Sequence, residues 1–491
     1  MEVVMTTDGM AQRQRIEKDF LGEVTLPAEF PFGIHTFRAI ENFAFSDERI
    51  RRDLFLALIQ VKQAAAEANT VAGLLEEEMG QTIIAACVDI IAVLSDESEY
   101  QHYIPALHPF QGGAGTSTNM AANELIANIA LKRMGKSFGE YRFLSPLDHV
   151  NLSQSTNDTY PTALKIAIIK GLKRLHRRVE DFLQGLLLKE KEFAHILKIG
   201  RTELQDAMPL SLGQEFSAWA EAMTRFRWRL DKSVDWIREV NLSGTAVGTG
   251  INADRNYSLH VIDALRRIVE EPLALSRNLI DGTQNVDQIV EVSGLIKTGA
   301  ASVKKIAFDL RLLSSGPNCG FGEIHLPEIQ AGSSIMPGKV NPVMLEAAEQ
   351  VCIHVMGCDA MITTAASQSN LELPQFLPYI AHLLLSNMEL FGNMLSRLTA
   401  TVSGVTPNLK RIAHYVNVSF SVATLLAPTL GYDRVAALVT EAKETDRGII
   451  DLLREKAWLD EKMLARLLSP QVMASPGLPM LENDEEEHHE G

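Results

Sequence analysis

The chain has 491 residues, 46% of them hydrophobic but only 6% aromatic, so it can bury a large core built mainly from the aliphatic residues that suit helices. Its net charge of −16 argues against a nucleic acid or an anionic membrane as a partner, because both bind basic surfaces. The four cysteines form no CxxC pair and the N-terminus has no apolar stretch typical of a signal peptide, so we expect a soluble, cytoplasmic protein with reduced thiols.

The first elements are an irregular segment and a helical one. Residues 1–45 show no clean hydrophobic period. From about Asp47 to Leu94, apolar residues recur at steps of three and four, which predicts helices. The most apolar run of the chain, residues 82–94, contains Asp89 and falls short of the roughly 18 residues needed to cross a bilayer.

Two polar loops each precede a predicted helix. The first, QGGAGTSTN at residues 111–119, leads into a helix from about Met120 to Met134. The second, HVNLSQSTND at residues 149–158, leads into a long helix with Pro161 near its first turn, where proline is tolerated. Because the amino end of a helix favours negative charge, both loops suit an anionic group. The alternative for the first loop is a flexible linker. The alternative for the second loop is simple capping of the helix.

A third polar stretch, residues 200–207, precedes the first of two long helices with a seven-residue apolar period. The first period comprises Phe216, Trp219, Met223, Phe226, Leu230, Ile237 and Val240; the second comprises Ile289, Val292, Ile296, Gly299, Val303, Ile306, Leu310 and Leu313. Such helices must bundle to bury their apolar stripes. Between them, residues 244–253 contain a GxGxxA pattern that resembles a dinucleotide-binding loop. No strand–helix alternation surrounds them, so we interpret this segment as a helix-breaking loop near the site.

The fourth polar segment is GSSIMPGKVNP at residues 332–342, named here the signature loop. Its glycines and prolines make it irregular, and it holds adjacent hydroxyls, a lysine and an amide between long helical segments, as binding loops often do. It is not a phosphate-binding P-loop, because five residues rather than four separate Gly332 from Gly338 and Val340 stands where a serine or threonine belongs.

Further helices are predicted from Pro342 to about Thr363, over 378–401, and as short segments over 408–470. We therefore predict a mainly all-α chain whose long helices assemble into a multi-chain helical core. The predicted domains are a mixed, helical N-terminal domain (1–154), a central long-helix bundle (155–407), a small helical C-terminal domain (408–480) and an acidic, disordered tail (481–491). His488 and His489 in this tail are weak candidates for metal ligands.

The four polar segments lie far apart in the sequence and carry hydroxyls, amides and one lysine. The candidate site residues are Thr116, Ser155, Thr156, Asn157, Thr202, Ser333, Ser334, Lys339 and Asn341. This set has neither the Cys/His spacing of a metal site nor a Ser-His-Asp order that fits hydrolysis. If the helices bundle, the loops can meet at helix ends. We predict a donor-rich pocket for a small dicarboxylate, with no cofactor and no metal.

The signature loop resembles that of the aspartase/fumarase superfamily, and the resemblance extends from about Arg15 to Gly477. Members of this superfamily remove a proton from a carbon next to a carboxylate and eliminate a leaving group from the neighbouring carbon, which gives fumarate. The resemblance implies that Ser333 is the general base and that Lys339 and Asn341 hold one carboxylate. The clamp on the other carboxylate, where charge grows, corresponds to Thr116, Ser155, Thr156 and Ser334. The leaving-group pocket corresponds to Asn157, Thr202 and the residue after it, Glu203. We interpret Glu346 as a supporting residue outside the pocket.

Within the superfamily, GAGTST, QSTND and EIQAGSS are more similar to aspartases than to fumarases. The resemblance thus favours elimination of ammonia from L-aspartate, with class II fumarate hydratase as the alternative. Glu203 stands where fumarases and many aspartases have histidine, and we hypothesise that it pairs with the ammonium. A non-catalytic protein on this fold, as lens crystallins are, would be expected to lack Ser333 or Lys339. The resemblance also implies a homotetramer with each site built from three chains.

Overall fold

The computed structural model describes residues 13–474, and this part of the chain is mainly helical, which confirms the predicted fold class. The helices are, in chain order, α1 (Ile34–Asn42), α2 (Arg52–Val71), α3 (Glu77–Ser95), α4 (Thr116–Arg133), α5 (Thr156–Phe193), α6 (Leu212–Ile237), α7 (Arg255–Val269), α8 (Leu279–Gln284), α9 (Asp287–Leu313), α10 (Val343–Ala366), α11 (Leu377–Ser403), α12 (Leu409–Val418), α13 (Ser421–Leu430), α14 (Tyr432–Thr445), α15 (Ile449–Lys456), α16 (Glu461–Leu467) and α17 (Pro470–Met473). A short 3-10 helix spans Tyr100–Tyr103 and a π-helical turn spans Pro146–Val150.

The strands form two-stranded pairs. They are β1 (Gln14–Asp19), β2 (Gly22–Pro27), β3 (Leu197–Thr202), β4 (Gln205–Ser211), β5 (Glu239–Val240), β6 (Ala274–Leu275), β7 (Ile324–His325) and β8 (Thr406–Pro407). Pairs β1–β2, β3–β4 and β7–β8 are antiparallel, whereas β5–β6 is parallel.

Contacts divide the chain into two compact units. Unit 1 comprises Met1–Leu175, Arg229–Lys297 and Val355–Leu390; unit 2 comprises His176–Trp228, Thr298–His354 and Phe391–Gly491. The predicted domain division at 154, 407 and 480 stays a prediction. The acidic tail (481–491), with His488 and His489, lies outside the described residues.

Helix α4 lies at the centre of the N-terminal part of unit 1. Residues 118–131 are all buried, and α1, α2 and α3 pack against this helix. The buried carboxylate of Glu124 on α4 accepts hydrogen bonds from the backbone N–H groups of Gly33 (2.9 Å), His35 (3.0 Å) and Thr36 (3.1 Å). This carboxylate therefore satisfies the free amino end of α1, whose dipole favours a negative charge.

Helix α3 is the element that contains the most apolar run. It begins at Glu77, ahead of that run, so by length and composition alone it is long and apolar enough to cross a membrane. The apolar run itself covers only residues 82–94 of this helix. Within unit 1, α3 packs on α2 and α4, and it buries Ile83, Cys87 and Ile90.

The two long periodic segments are helices α6 and α9, as predicted. In α6 the buried positions follow the period from Phe216 to Ile237, but Val240 lies beyond the helix end, in strand β5. In unit 2, a Cβ at Gly299 of α9 would lie 2.3 Å from the ring of Phe226, so this position of the apolar stripe must be glycine for the aromatic ring to pack there.

The segment 200–207 is not an irregular loop, as the sequence suggested, but most of a β-hairpin. Strands β3 and β4 are joined by Glu203 and Leu204, both with left-handed backbone angles (φ 55° and 64°), as in the tight turns that match the twist of a hairpin. The base of the hairpin packs on the C-terminal helices: Ile199 belongs to the same buried cluster as Val422, Leu426 and other residues of α12–α17. In unit 2 the C-terminal helices thus anchor this hairpin.

Candidate active site

The predicted site residues are distributed over both units. Unit 1 carries Thr116, Ser155, Thr156 and Asn157. Unit 2 carries Thr202, Glu203, Ser333, Ser334, Lys339, Asn341 and Glu346. Each group is positioned by the local structure of its own unit.

The first polar loop ends where α4 begins. Thr116 is the first residue of the helix and is exposed, and its hydroxyl donates to the carbonyl of Gly113 at 2.7 Å. Gly115 before it has φ 99°, and a Cβ there would lie 2.4 Å from the ring of Tyr160 on α5. No side chain caps the amino end of α4, and the backbone N–H of Thr116 donates to the carbonyl of Gly113 at 2.9 Å, so the backbone donors left for an anion are those of the next two residues, Ser117 and Thr118.

The second polar loop begins α5 with side-chain caps. The hydroxyl of Ser155 accepts from the backbone N–H of Asn157 at 3.2 Å, and the carboxylate of Asp158 accepts from the N–H of Ser155 at 3.0 Å. Thr159 donates to Asn119 of α4 at 3.2 Å. The contact with Asn119, together with the approach of Gly115 to Tyr160, shows that unit 1 brings the first two polar loops together.

The orientation of Asn157 is fixed by the glycine-rich segment 244–250. Its Nδ2 donates to the carbonyl oxygen of Ala246 at 2.7 Å, and Asp158 accepts from the N–H of Thr245 at 3.0 Å. A carbonyl cannot donate, so the atom facing Ala246 must be the amide nitrogen. The Oδ1 of Asn157 is therefore the atom left to accept a hydrogen bond from a ligand.

A buried polar cluster lies behind these loops, and the sequence analysis did not find it. Asn151 Oδ1 accepts from Lys62 Nζ (2.9 Å), Asn119 Nδ2 (3.2 Å) and Asn123 Nδ2 (3.1 Å). Burial lowers the pKa of Lys62 to about 7, and burial raises the pKa of Asp158 to about 6 against several backbone hydrogen bonds. The only sequence signal for this cluster was a lysine within the apolar stretch of α2.

The signature loop closes on itself in unit 2. The backbone N–H of Gly332 donates to the carbonyl of Lys339 at 2.8 Å, and Asn341 Nδ2 donates to the carbonyl of Gly332 at 2.9 Å. Ser333 Oγ accepts from the N–H groups of Ile335 (3.2 Å) and Met336 (3.0 Å). Two backbone donors on one hydroxyl oxygen stabilise negative charge on that oxygen.

The same loop presents its remaining polar groups outward. Ser334 and Lys339 are exposed, and within residues 13–474 no carboxylate pairs with the ammonium of Lys339. At the start of α10, Glu346 lies 3.9 Å from Arg311, which also contacts Glu349 at 2.6 Å. The supporting role of Glu346 stays a prediction.

The tip of the β3–β4 hairpin carries Thr202 and Glu203. Both residues are exposed, and in the described part of the chain no side chain or backbone group pairs with the carboxylate of Glu203. The carboxylate is thus available to a cationic group. Within residues 13–474, no three His, Cys, Asp or Glu side chains are grouped to hold a metal ion.

Comparison with known families supports the resemblance seen in the signature loop. The sequence profile described as lyase matches residues 22–357, and that of the fumarase C C-terminus matches residues 422–475. The chain belongs to the aspartase/fumarase superfamily.

Curated relatives in this superfamily match almost the whole chain. The aspartate ammonia-lyase of Helicobacter pylori is 43% identical over 94% of this chain and 98% of its own length. That of Bacillus subtilis is 42% identical over 94% of this chain and 97% of its own. The chain is therefore an enzyme, a carbon–nitrogen lyase.

Solved structures show the same fold. A fumarate lyase:delta crystallin from Brucella melitensis, bound to cobalt, superposes with a TM-score of 0.89 at 42% identity, over 94% of this chain and 100% of that one. The class II fumarase of Schistosoma mansoni superposes with a TM-score of 0.86 at 31% identity, with the same coverage. The mainly helical superfamily fold is thus shared with both kinds of lyase.

Proposed function

We propose that this enzyme is an aspartate ammonia-lyase, which reversibly eliminates ammonia from L-aspartate to give fumarate. The relatives that support this are 42–43% identical over 94% of the chain. The observation that carries the proposal is the environment of Ser333, whose oxygen accepts two backbone hydrogen bonds in a closed loop that also bears Lys339. A serine in this setting can act as a base, because its alkoxide is stabilised.

In the proposed reaction, the Ser333 alkoxide removes a proton from Cβ of L-aspartate, the carbon next to the side-chain carboxylate. The electron pair moves into that carboxylate and forms an enediolate, so the donors that clamp it must bind the transition state more strongly than the substrate. We assign this clamp to Thr116, Ser155, Thr156 and Ser334. Lys339 and Asn341 hold the other carboxylate. Collapse of the enediolate forms the Cα–Cβ double bond and breaks the Cα–N bond, so the ammonium group leaves as ammonia and fumarate remains.

The pocket that holds the leaving group determines whether the enzyme eliminates ammonia or water. We assign its pocket to Asn157, Thr202 and Glu203. Asn157 offers Oδ1 because its Nδ2 is already bound to Ala246, and the carboxylate of Glu203 is exposed at the hairpin tip. Both are acceptors, which suits an ammonium with several N–H donors, and the negative charge of Glu203 pairs with its positive charge.

The second candidate is a class II fumarate hydratase. It shares the carboxylate clamp, and the Schistosoma mansoni class II fumarase is 31% identical with full coverage of its chain. The experiment measures the ultraviolet absorbance of fumarate formed by purified enzyme from L-aspartate and, separately, from L-malate. We expect fumarate from aspartate. Faster formation from malate would favour the hydratase.

The proposed base is tested with Ser333→Ala. We expect it to lower kcat by at least about 100-fold, because general acid–base catalysis contributes that much or more. The matched control is Ser302→Ala, which removes a hydroxyl that donates only to a carbonyl within α9. The control should keep wild-type kcat. A Ser333→Ala variant with wild-type kcat rules out the proposed base.

We further propose a cytoplasmic homotetramer whose active sites are shared between subunits. None of the four cysteines forms a disulfide, as expected in a reducing compartment. The two groups of site residues lie in different units and each includes exposed residues, such as Thr116 and Lys339, so each is accessible to another chain.

A further inference from the structure

One carboxylate outside the predicted site is completely buried among charges. Glu323 has no exposed surface, and its two oxygens form ion pairs with Lys198 Nζ at 2.8 Å and Arg201 Nη1 at 2.7 Å. Lys198 is 1% exposed and also contacts Glu215 at 2.7 Å. We name Lys198, Arg201 and Glu323 the buried triad; all three residues belong to unit 2.

Such a triad is costly, because each charge loses its hydration on burial and only the attraction between the opposite charges offsets that loss. Neither oxygen of Glu323 accepts a hydrogen bond of good geometry, so it is the pairing of charges that ties both cations to this carboxylate. In this triad both cations lie on strand β3, so Glu323 fixes β3 rather than a single side chain.

The triad joins the two parts of unit 2 that carry predicted catalytic groups. Arg201 immediately precedes Thr202 and Glu203 at the hairpin tip, and Glu323 immediately precedes β7 on the segment that leads into the signature loop. No other ion pair among the described residues holds the hairpin to this segment. The triad therefore connects the hairpin tip, where the ammonium pocket is predicted, with the chain segment that leads into the signature loop and Ser333.

Stacking reinforces this connection. The guanidinium of Arg201 lies 4.4 Å from the ring centre of Phe321 and 5.3 Å from that of Tyr415. The Tyr415 hydroxyl donates to the carbonyl of Phe321 at 3.0 Å, and Arg411 donates to that of Gly320 at 2.9 Å. The backbone before Glu323 is thus held against Arg201 by several contacts.

We propose that Glu323 is a positioning residue, which fixes the hairpin tip to the segment entering the signature loop and so sets the place of the ammonium pocket. This inference rests on the proposed ammonia-lyase function. Loss of its negative charge should weaken binding of ammonia, which the hairpin tip contacts. Binding of fumarate should change little, because its carboxylates are held by the other loops.

The test is Glu323→Gln, assayed in the direction of amination with fumarate and ammonia varied separately. The glutamine keeps the shape but turns an NH2 group toward one of the two cations, which then loses its partner. We expect the KM for ammonia to rise about tenfold or more, since small misplacements at a reaction centre cost up to about 100-fold. The KM for fumarate should change less than about twofold.

The matched control is Glu215→Gln, which removes the other partner of Lys198 and leaves both ion pairs of Glu323 in place. It should keep the wild-type KM for ammonia. A merely structural role of Glu323 would lower the melting temperature and the active fraction without separating the two KM values. Equal changes in both KM values, or a wild-type KM for ammonia, would overturn the inference.

A second variant, Arg201→Lys, decides the question if Glu323→Gln does not fold. The lysine keeps the charge but loses the planar group that stacks on Phe321, so the KM for ammonia should again rise selectively. Wild-type KM values in this variant would reject the proposal. If the wild-type enzyme forms no fumarate from aspartate, the proposed function fails instead, and that outcome is visible before any variant is compared.

Discussion

At the scale of single residues, the environment of Ser333 can be predicted from the local sequence, whereas that of Lys62 cannot. The donors to Ser333 are Ile335 and Met336, two and three positions further along the same loop. A short, specific loop pattern therefore carries the information. Lys62 contacts Asn151 across 89 positions, and no local pattern marks that contact.

Lys62 makes stability depend on pH. Burial lowers its pKa from 10.5 to about 7 in the folded chain, so between these values the unfolded chain binds a proton that the folded chain does not. Stability should therefore rise with pH across this window, by up to about 1.4 kcal/mol per pH unit. Lys62→Met removes this titration, and its free energy of unfolding in urea should rise less between pH 7 and pH 9 than that of the wild type.

The control for this prediction is Lys132→Met, which removes an exposed lysine on α4. It should keep the wild-type slope of unfolding free energy against pH. Equal slopes in Lys62→Met and the wild type would show that Lys62 is not the source of the pH dependence.

At the scale of elements, the predicted helices were found with small errors at their ends, and the hairpin was missed. Amphipathic spacing and the breakers Gly and Pro act locally, so they predict where helices begin and end. The β3–β4 turn uses Glu203 and Leu204 rather than Asn-Gly, so its sequence carries no turn signal. Contacts with the C-terminal helices hold the hairpin in place.

The start of α4 depends on a glycine. Gly115→Ala would place a Cβ at φ 99° and 2.4 Å from the buried ring of Tyr160, so either the helix start or the ring must move. We expect a loss of about 2 kcal/mol or more of unfolding free energy and a higher KM for aspartate, because Thr116 is displaced. Thermal unfolding and steady-state kinetics measure both.

Gly112, in the same loop, provides the comparison. A Cβ at Gly112 would meet no atom within 4 Å, so Gly112→Ala should change the stability by less than about 0.5 kcal/mol. If Gly115→Ala matched Gly112→Ala in melting temperature, the close approach to Tyr160 would not constrain the loop.

At the scale of the whole molecule, the proposed shared sites make a prediction about mixtures of variants. Thr116→Val and Ser333→Ala should each be inactive as homotetramers. Refolded together, they should regain part of the wild-type activity, because some sites collect an intact Thr116 from one chain and an intact Ser333 from another. Light scattering should give four times the 54.2 kDa mass of one chain.

The control mixture is Ser333→Ala with Lys339→Ala. Ser333 and Lys339 lie in the same signature loop, and each site takes that loop from a single chain. Every site in the mixed tetramer therefore carries one of the two substitutions, and no activity should return. If mixed tetramers of Thr116→Val and Ser333→Ala form but stay inactive, the proposal that subunits share sites is wrong.

The sequence by itself determined the mainly helical class, the long-helix segments and the loop that bears Ser333, because period, breakers and a contiguous motif are local properties of the chain. Only the tertiary structure decided that Asn157 binds Ala246 through Nδ2 and so keeps Oδ1 for a ligand, that Lys62 is buried beside Asn151 and that Glu323 pairs with two cations of β3. These features join residues far apart in sequence. Their energies come from burial and from the distances that packing sets, which no local pattern specifies.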